Sequence, residues 1–299
     1  MSTGARHKQR PNTYEPVEYE PVEDTKRMKA AIIGCGYVGT AVAKYWQAQG
    51  LDVLVTTTRQ ERVAELREIA NQVVVLNGTQ GDRIQSALFD RQVVLLCVAS
   101  KRGASYAQTY LETAKTVAQV LPHTPVEQLI YTSSCSVYGE HNGAWVTELM
   151  PPMPITGNGK IIEETEATLL SAPSPRQKVC VLRLGGIYGP GRTLEKIYSR
   201  AAGTTRPGKG EEGTNWVHLS DIVGGIDWAK EKQLAGRYNL VQDEVPMVKD
   251  LIGSVCDRHN LAPVQWDDTQ PSTRKNVRVS NRKIKETGYE FVHPNFYPR

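Results

Sequence analysis

The sequence predicts an α/β protein in which a doubly wound parallel sheet carries helices on both faces, with a smaller lobe at the C-terminal end. From Met28 onward, short apolar runs alternate with segments of helical periodicity, as βαβ units require. The chain has 299 residues, of which 39% are hydrophobic, which is enough to bury a sizeable core. We therefore assign residues 28–184 to a core and 185–299 to the lobe, with 215–241 returning to the core.

The first 27 residues are polar and punctuated by proline, and they contain a tandem repeat. Residues 14–18 and 19–23 both read Tyr-Glu-Pro-Val-Glu. Such a segment buries too little apolar surface to offset the entropy lost on ordering. We expect residues 1–27 to be a disordered tail, and two roles stay open for it: a solvated extension, or a docking peptide for a protein partner.

Six predicted strands form the sheet, because each is a short run rich in Val, Ile and Leu. They span residues 29–33, 52–57, 72–76, 93–99, 128–133 and 178–184. After the Gly-Pro-Gly turn at 189–191 the pattern becomes irregular, which is why the rest of the chain is predicted to form a separate lobe.

Four predicted helices connect these strands, at residues 38–49, 60–71, 104–121 and 160–171. The first is followed by Gly50, a residue typical of helix C-terminal caps. The second carries Val63, Leu66 and Ile69 on one face, which indicates packing against the sheet. Alternating strands and helices of this kind predict a Rossmann-like sheet.

Charge and cysteine content exclude several classes of protein. The chain has 36 Lys and Arg against 32 Asp and Glu, a bias that a phosphorylated small ligand explains and that does not indicate nucleic acid. The five cysteines include no Cys-x-x-Cys pair, so we expect a reducing, cytoplasmic location and no structural metal. No apolar run reaches the roughly 20 residues that span a bilayer, so no membrane partner is expected.

A glycine motif connects the first predicted strand to the first predicted helix. Residues 34–39 read Gly34-Cys35-Gly36-Tyr37-Val38-Gly39. Glycines at this spacing allow a tight turn and close approach of a pyrophosphate, which the free N–H groups of the helix then bind. The motif predicts that Gly34, Gly36, Tyr37, Val38 and Gly39 bind a dinucleotide cofactor.

The end of the second strand indicates which dinucleotide is bound. NAD-binding sites usually place an acidic residue there for the ribose 2′-hydroxyl, whereas this chain has Thr58 and Arg59. A guanidinium beside a hydroxyl suits a 2′-phosphate. Asp52 has the right chemistry but lies at the start of the strand. The sequence therefore favours NADP, with NAD left open.

Three further segments carry a resemblance to a known family. Residues 131–139 read Tyr-Thr-Ser-Ser-Cys-Ser-Val-Tyr-Gly, residues 182–192 read Leu-Arg-Leu-Gly-Gly-Ile-Tyr-Gly-Pro-Gly-Arg, and residues 216–221 read Trp-Val-His-Leu-Ser-Asp. Together with the glycine motif they resemble the extended short-chain dehydrogenase/reductase superfamily, which includes nucleotide-sugar epimerases and dehydratases. The resemblance extends from Met28 to Pro298.

The resemblance implies a set of catalytic residues, with one departure. Ser134 matches the serine that hydrogen-bonds the reacting oxygen, and Lys160 matches the lysine that holds the nicotinamide ribose. Thr156 stands where the family has its proton-donating tyrosine, and an aliphatic hydroxyl is a far weaker acid than a phenol. The chain is therefore similar to the atypical members of the superfamily. Tyr138, His141 and His218 are the candidate replacements, with Tyr138 included among the catalytic residues.

Other positions complete the expected site. Asn77 replaces an Asp that contacts adenine in the family, and Ala99, the last residue of the fourth predicted strand, is expected to contact the cofactor. Lys101, Arg102 and Arg192 are expected to face a small-molecule substrate of carbonyl or sugar type.

The leading hypothesis is an NADP-dependent oxidoreductase or epimerase/dehydratase-like enzyme, and the alternative is a non-catalytic NADP-binding sensor or scaffold. RNA binding is the weakest hypothesis because the excess of basic residues is small. The resemblance also implies a homodimer paired through helices 104–121 and 160–171, with Tyr106, Tyr110 and Leu170 as surplus apolar side chains.

Overall fold

The computed structural model describes residues 27–100, 103 and 105–296. The predicted tail over residues 1–26, together with Lys101 and Arg102, therefore lies outside the described residues.

The strands alternate with helices along the described chain. In order, the strands are β1 (Lys29–Ile33), β2 (Asp52–Thr57), β3 (Gln72–Val75), β4 (Val93–Leu96), β5 (Gln128–Ser134), β6 (Trp145–Val146), β7 (Lys178–Leu184), β8 (Gly186–Tyr188), β9 (Thr205–Pro207), β10 (Trp216–His218), β11 (Gly236–Leu240), β12 (Gln265–Asp267) and β13 (Arg278–Val279). The α-helices are α1 (Tyr37–Ala48), α2 (Val63–Arg67), α3 (Gly81–Leu88), α4 (Thr113–Val120), α5 (Gly157–Ser171), α6 (Leu194–Tyr198), α7 (Leu219–Glu231), α8 (Val248–Arg258) and α9 (Arg282–Glu286).

Seven strands form one parallel sheet in the order β11-β7-β5-β4-β1-β2-β3. The chain proceeds outward from β1 through β2 to β3 on one side, and through β4 to β5 and β7 on the other. The strand order therefore reverses between β1 and β4, which is where ligands bind in open α/β sheets. The predicted α/β class and parallel sheet are confirmed.

Helices cover both faces of this sheet. Apolar side chains of α1 and α7 pack on one face, and those of α3, α4 and α5 pack on the other. Strands buried on both sides read as continuous apolar runs, which explains why β1, β2 and β7 could be predicted with the ends they have in the structure. The lobe has its own aromatic cluster, which includes Tyr188, Trp216 and Phe296.

Two helical predictions need correction, and one helix of the core was missed. The helix predicted over residues 60–71 is a 3₁₀ turn followed by the short α2, because Asn71 leaves the helix to form two hydrogen bonds with the backbone of Val53. The helix predicted over residues 104–121 contains a π-helical segment, Gln108–Glu112, ahead of α4. Helix α3 was not predicted.

The side chains expected at a dimer interface have contacts within the chain. Tyr106 and Tyr110 line a cleft described below, and Leu170 packs against the core on the α4 side of the sheet. The expectation of a homodimer therefore depends on the family resemblance alone.

Candidate cofactor and active site

Three cavities lie along the carboxyl edge of the sheet, and Gly36 lines all three. The Arg59 cavity, of about 330 Å³, is lined by Thr58, Arg59 and Asn77 among others. The Lys44 cavity, of about 450 Å³, lies beside it. The Ser134 cleft, of about 650 Å³, extends toward the lobe. A bound dinucleotide is an extended molecule, and the three cavities together provide an extended site.

The glycine loop is shaped for close approach of a ligand. Gly34 has φ +95°, and a side chain there would lie 2.9 Å from the backbone of Val98. Its amide donates to Thr56 Oγ1 at 3.1 Å and its carbonyl accepts from Cys97 Sγ at 3.0 Å. Helix α1 begins directly after Gly36, so its free N–H groups face the cavities. These residues fit a pyrophosphate.

Basic side chains surround the Arg59 and Lys44 cavities. Arg59 lines both, and its side chain is 46% exposed, with its nearest charged partner Glu61 at 3.9 Å. Arg62 also lines both, but it is held in place: it donates to the Cys35 carbonyl and forms a 2.6 Å ion pair with Glu65. Arg59 is therefore the better placed of the two to meet a phosphate.

Arg62 was missed at the sequence level. It lies three residues after Arg59, and residues at this spacing share one side of a helical turn. The three-residue spacing from Arg59 was the sequence signal that could have identified Arg62. Asn77, in contrast, was predicted, and its side-chain oxygen accepts from Thr79 N at 3.3 Å, which closes a turn beside the cavity.

The Ser134 cleft contains several of the predicted residues. Its walls include Tyr37, Val38, Ala99, Ser134 and Arg192. Ser134 Oγ accepts from Ser136 N at 3.2 Å, which leaves its hydroxyl hydrogen free to be donated to a bound oxygen. Arg192 is exposed and donates from Nε to the Ile187 carbonyl at 2.8 Å, which fixes its guanidinium at the cleft.

Thr156 and Lys160 do not line any of the three cavities. Thr156 is the N-cap of α5, and its hydroxyl accepts from Gly159 N at 3.0 Å. Lys160 is exposed. Ile162 lines the cleft, and two residues correspond to about 200° around a helix, so Lys160 lies on nearly the opposite side. The expected catalytic roles of Thr156 and Lys160 are therefore not supported by their positions.

Tyr138 is also unsuited to proton transfer in this cleft. It is completely buried, and its hydroxyl donates to Asn239 Oδ1 at 2.7 Å. Burial raises the pKa of Tyr138 to about 12. Of the other candidates, His141 contacts the Tyr138 carbonyl at 3.0 Å, and His218 is the N-cap of α7. All three have structural roles.

Substituting Thr156 tests the cap assignment. Thr156→Ala should lower the free energy of unfolding by about 1 kcal/mol, because the Gly159 amide loses its acceptor. Thr156→Asn, which keeps a capping oxygen, should be close to the native protein. Thr156→Tyr should lose the cap without gaining reductase activity, since position 156 is outside the cleft. Urea unfolding of the three variants measures this, and equal stability of Thr156→Ala and the native chain would contradict it.

Two features of the described chain escaped prediction because they depend on long-range contacts. Tyr106 and Tyr110 line the Ser134 cleft, although they were assigned to a dimer interface. Glu166 is buried beneath the cleft, where it accepts from Ser133 Oγ at 2.5 Å.

No helix among the described residues has the length and apolar character needed to cross a bilayer.

The chain is similar to known proteins over most of its length. The model of the NAD dependent epimerase/dehydratase family matches residues 30–240. Protein YeeZ of Escherichia coli K12 is 29% identical over 273 residues, which cover 89% of this chain and 97% of YeeZ.

Solved structures share the fold. DesIV, a dTDP-glucose 4,6-dehydratase from Streptomyces venezuelae solved with NAD bound, aligns with a TM-score of 0.75 at 17% identity, covering 88% of this chain and 92% of DesIV. The UDP-glucose 4-epimerase of Thermus thermophilus, solved with NAD, aligns with a TM-score of 0.72 at 19% identity, covering 89% of this chain and 94% of the epimerase. With the family model matching well over half of its length, the chain belongs to the NAD dependent epimerase/dehydratase family.

Proposed function

We propose that this protein is an NADP-dependent oxidoreductase of the epimerase/dehydratase type, acting on the carbonyl group of a small or sugar-type substrate. The observation that carries the proposal is that Ser134 shares one cleft with Tyr37, Val38 and Ala99. The first two begin α1 directly after the glycine loop, so a nicotinamide and a substrate would meet beside the Ser134 hydroxyl. A bound nicotinamide supplies hydride chemistry there, and Ser134 orients the reacting oxygen.

The substrate class follows from the mouth of the cleft. Arg192 lines it, and its guanidinium is fixed by the bond to the Ile187 carbonyl. An immobilised guanidinium is well suited to bind phosphate oxygens. Relatives of this fold have been solved with nucleotide sugars, for example MoeE5 with UDP-glucuronic acid and NAD. A nucleotide sugar or another phosphorylated carbonyl compound is therefore the proposed substrate class.

The experiment measures NADPH oxidation across carbonyl compounds and nucleotide sugars, for the native protein and for Ser134→Ala. Turnover that Ser134→Ala reduces by about 10²-fold or more supports the proposal, because the oriented hydrogen bond to the reacting oxygen is lost. Tight NADPH binding without turnover on any substrate would favour the alternative, a non-catalytic sensor or scaffold. The positions of Thr156 and Lys160 are the observations behind that alternative.

The preference for NADP over NAD is a separate prediction. The native protein should bind NADPH more tightly than NADH, because Arg59 borders the cavity beside Thr58 and an arginine stabilises a 2′-phosphate. Arg59→Asp should weaken NADPH binding by roughly tenfold to a hundredfold, since a hydrogen bond to a charged group contributes about 1.5–3 kcal/mol. NADH binding should fall much less.

Calorimetric titration of both cofactors checks this preference. Arg67→Asp is the matched control: it makes the same charge change at an exposed position of α2 that lines none of the three cavities. Equal affinity of the native protein for NADPH and NADH would refute the preference.

A further inference from the structure

The Ser134 cleft is lined by two tyrosines that have no role in the proposed function so far. Tyr106 and Tyr110 are one helical turn apart, with ring centroids 4.4 Å apart and planes inclined by 40°. Both line the cleft together with Ser134 and Ala99, and both are half-buried against the apolar cluster around Val137. Both rings therefore lie in the cleft where Ser134 would hold a reacting oxygen.

The backbone around Tyr110 is unusual. Tyr110 lies in the π-helical segment Gln108–Glu112, and π-helical turns are rare and occur often at functional sites. The Tyr110 hydroxyl oxygen accepts from the Ser100 amide at 3.3 Å. This hydrogen bond holds the Tyr110 hydroxyl oxygen in position and leaves its hydrogen available for donation.

The neighbouring phenols keep their protons. Burial and the adjacent Tyr110 raise the pKa of Tyr106 to about 12. Tyr131 behind them is fully buried, and burial, followed by the charges of Glu166, Tyr110 and Tyr106, raises its pKa well above the usual value for tyrosine. Tyr110 differs from them in its contacts: it lines the cleft, as Tyr106 does, and its hydroxyl oxygen also accepts from the Ser100 amide.

We propose that Tyr110 is the proton donor of this active site, supplying the phenol that position 156 lacks, with Tyr106 as a positioning residue. This inference rests on the proposed function. Its basis is that Tyr110 and Ser134 line one cleft, whereas Thr156, the N-cap of α5, does not line it.

A reduced nicotinamide held beside the glycine loop would supply a hydride, with its two electrons, to the carbonyl carbon and would itself be oxidised. The π pair of the carbonyl moves to its oxygen as the O–H bond of Tyr110 breaks, and the proton joins that oxygen to give the alcohol. The Tyr110 oxygen keeps the electron pair of the broken bond as a phenolate, stabilised by the Ser100 amide, and water returns the proton.

Kinetics provide the first test. Tyr110→Phe keeps the ring and removes the hydroxyl, so it should lower kcat for NADPH-dependent carbonyl reduction by about 10²–10⁴-fold with unchanged NADPH affinity. Tyr106→Phe should have a smaller effect on kcat. Tyr45→Phe, at an exposed position of α1, is the control and should behave as the native protein. A Tyr110→Phe enzyme with native kcat would overturn the proposal.

Titration provides a second test that needs no turnover. Carbon-13 NMR of tyrosine-labelled protein can follow the phenol resonance of Tyr110, assigned by its loss in Tyr110→Phe. Titration with NADP⁺ should move this resonance, because the nicotinamide would lie in the same cleft as the phenol. Tyr45 should not respond to NADP⁺. If the cofactor binds and the NMR resonance of the Tyr110 phenol does not change, this inference is wrong but the proposed function is not affected. If neither cofactor binds, the proposed function and the inference are both wrong.

Discussion

Glu166→Gln is expected to lower the free energy of unfolding by about 3–5 kcal/mol, because it leaves a buried guanidinium without its counter-ion. Glu166 is 1% exposed and Arg183 is fully buried. The Arg183 guanidinium donates to both oxygens of Glu166, with the shortest bond 2.7 Å, and Arg237 donates to the same carboxylate at 3.2 Å. The amide of glutamine cannot replace this charge.

The matched control is Glu164→Gln, an exposed position on the same helix, which should change stability little. Replacing both partners, as Glu166→Leu with Arg183→Met, should recover much of the loss, since buried ion pairs can often be exchanged for apolar pairs at small cost. Urea unfolding followed by circular dichroism measures all three proteins. Native stability of Glu166→Gln would show that the ion pair does not support the fold.

The same ion pair bears on the active site. Ser133 donates to Glu166 and directly precedes Ser134 at the end of β5. The buried carboxylate therefore anchors the strand end that presents the Ser134 hydroxyl to the cleft. A weakened anchor would loosen the position of that hydroxyl as well as the fold.

Sequence patterns predicted the sheet well because its strands are buried on both faces. β1, β2 and β7 read as apolar runs with clear ends, and the glycine loop is a local motif whose backbone demands are visible in the residues themselves. Helix bounds were predicted less well. The short α2 and the π-helical segment Gln108–Glu112 depend on contacts with distant parts of the chain, which no local periodicity contains.

The sequence indicated the position of Ser134 through a strand end, whereas the helical spacing of Thr156 and Lys160 did not indicate where those two side chains lie. Ser134 ends β5 and therefore reaches the carboxyl edge of the sheet. Thr156 and Lys160 have the spacing of a catalytic pair, but the spacing does not fix where the helix begins or which side faces the cleft. In the structure Thr156 precedes α5 and is its N-cap. Tyr110, which belongs to a different segment of the chain, lines the cleft.

The two substitutions Gly36→Ala and Gly39→Ala should separate cofactor binding from stability. An added Cβ at Gly36 meets no atom within 4 Å, and Gly36 lines all three cavities. Gly36→Ala should therefore fold with native stability, while its methyl group obstructs the approach of a pyrophosphate. We expect NADPH affinity to fall about tenfold to a hundredfold, which corresponds to about 1–3 kcal/mol of steric conflict.

Gly39→Ala should instead affect the fold first. A Cβ at Gly39 would lie 2.7 Å from the Gly34 carbonyl oxygen and 2.9 Å from Cys97 Sγ, so α1 must move away from β1. Overpacking of this kind costs about 1–3 kcal/mol of unfolding free energy. Thermal unfolding and calorimetric NADPH titration of both variants provide the measurement. If Gly36→Ala bound NADPH as tightly as the native protein, the three cavities would not form one dinucleotide site, because no ligand crossing Gly36 could avoid its methyl group.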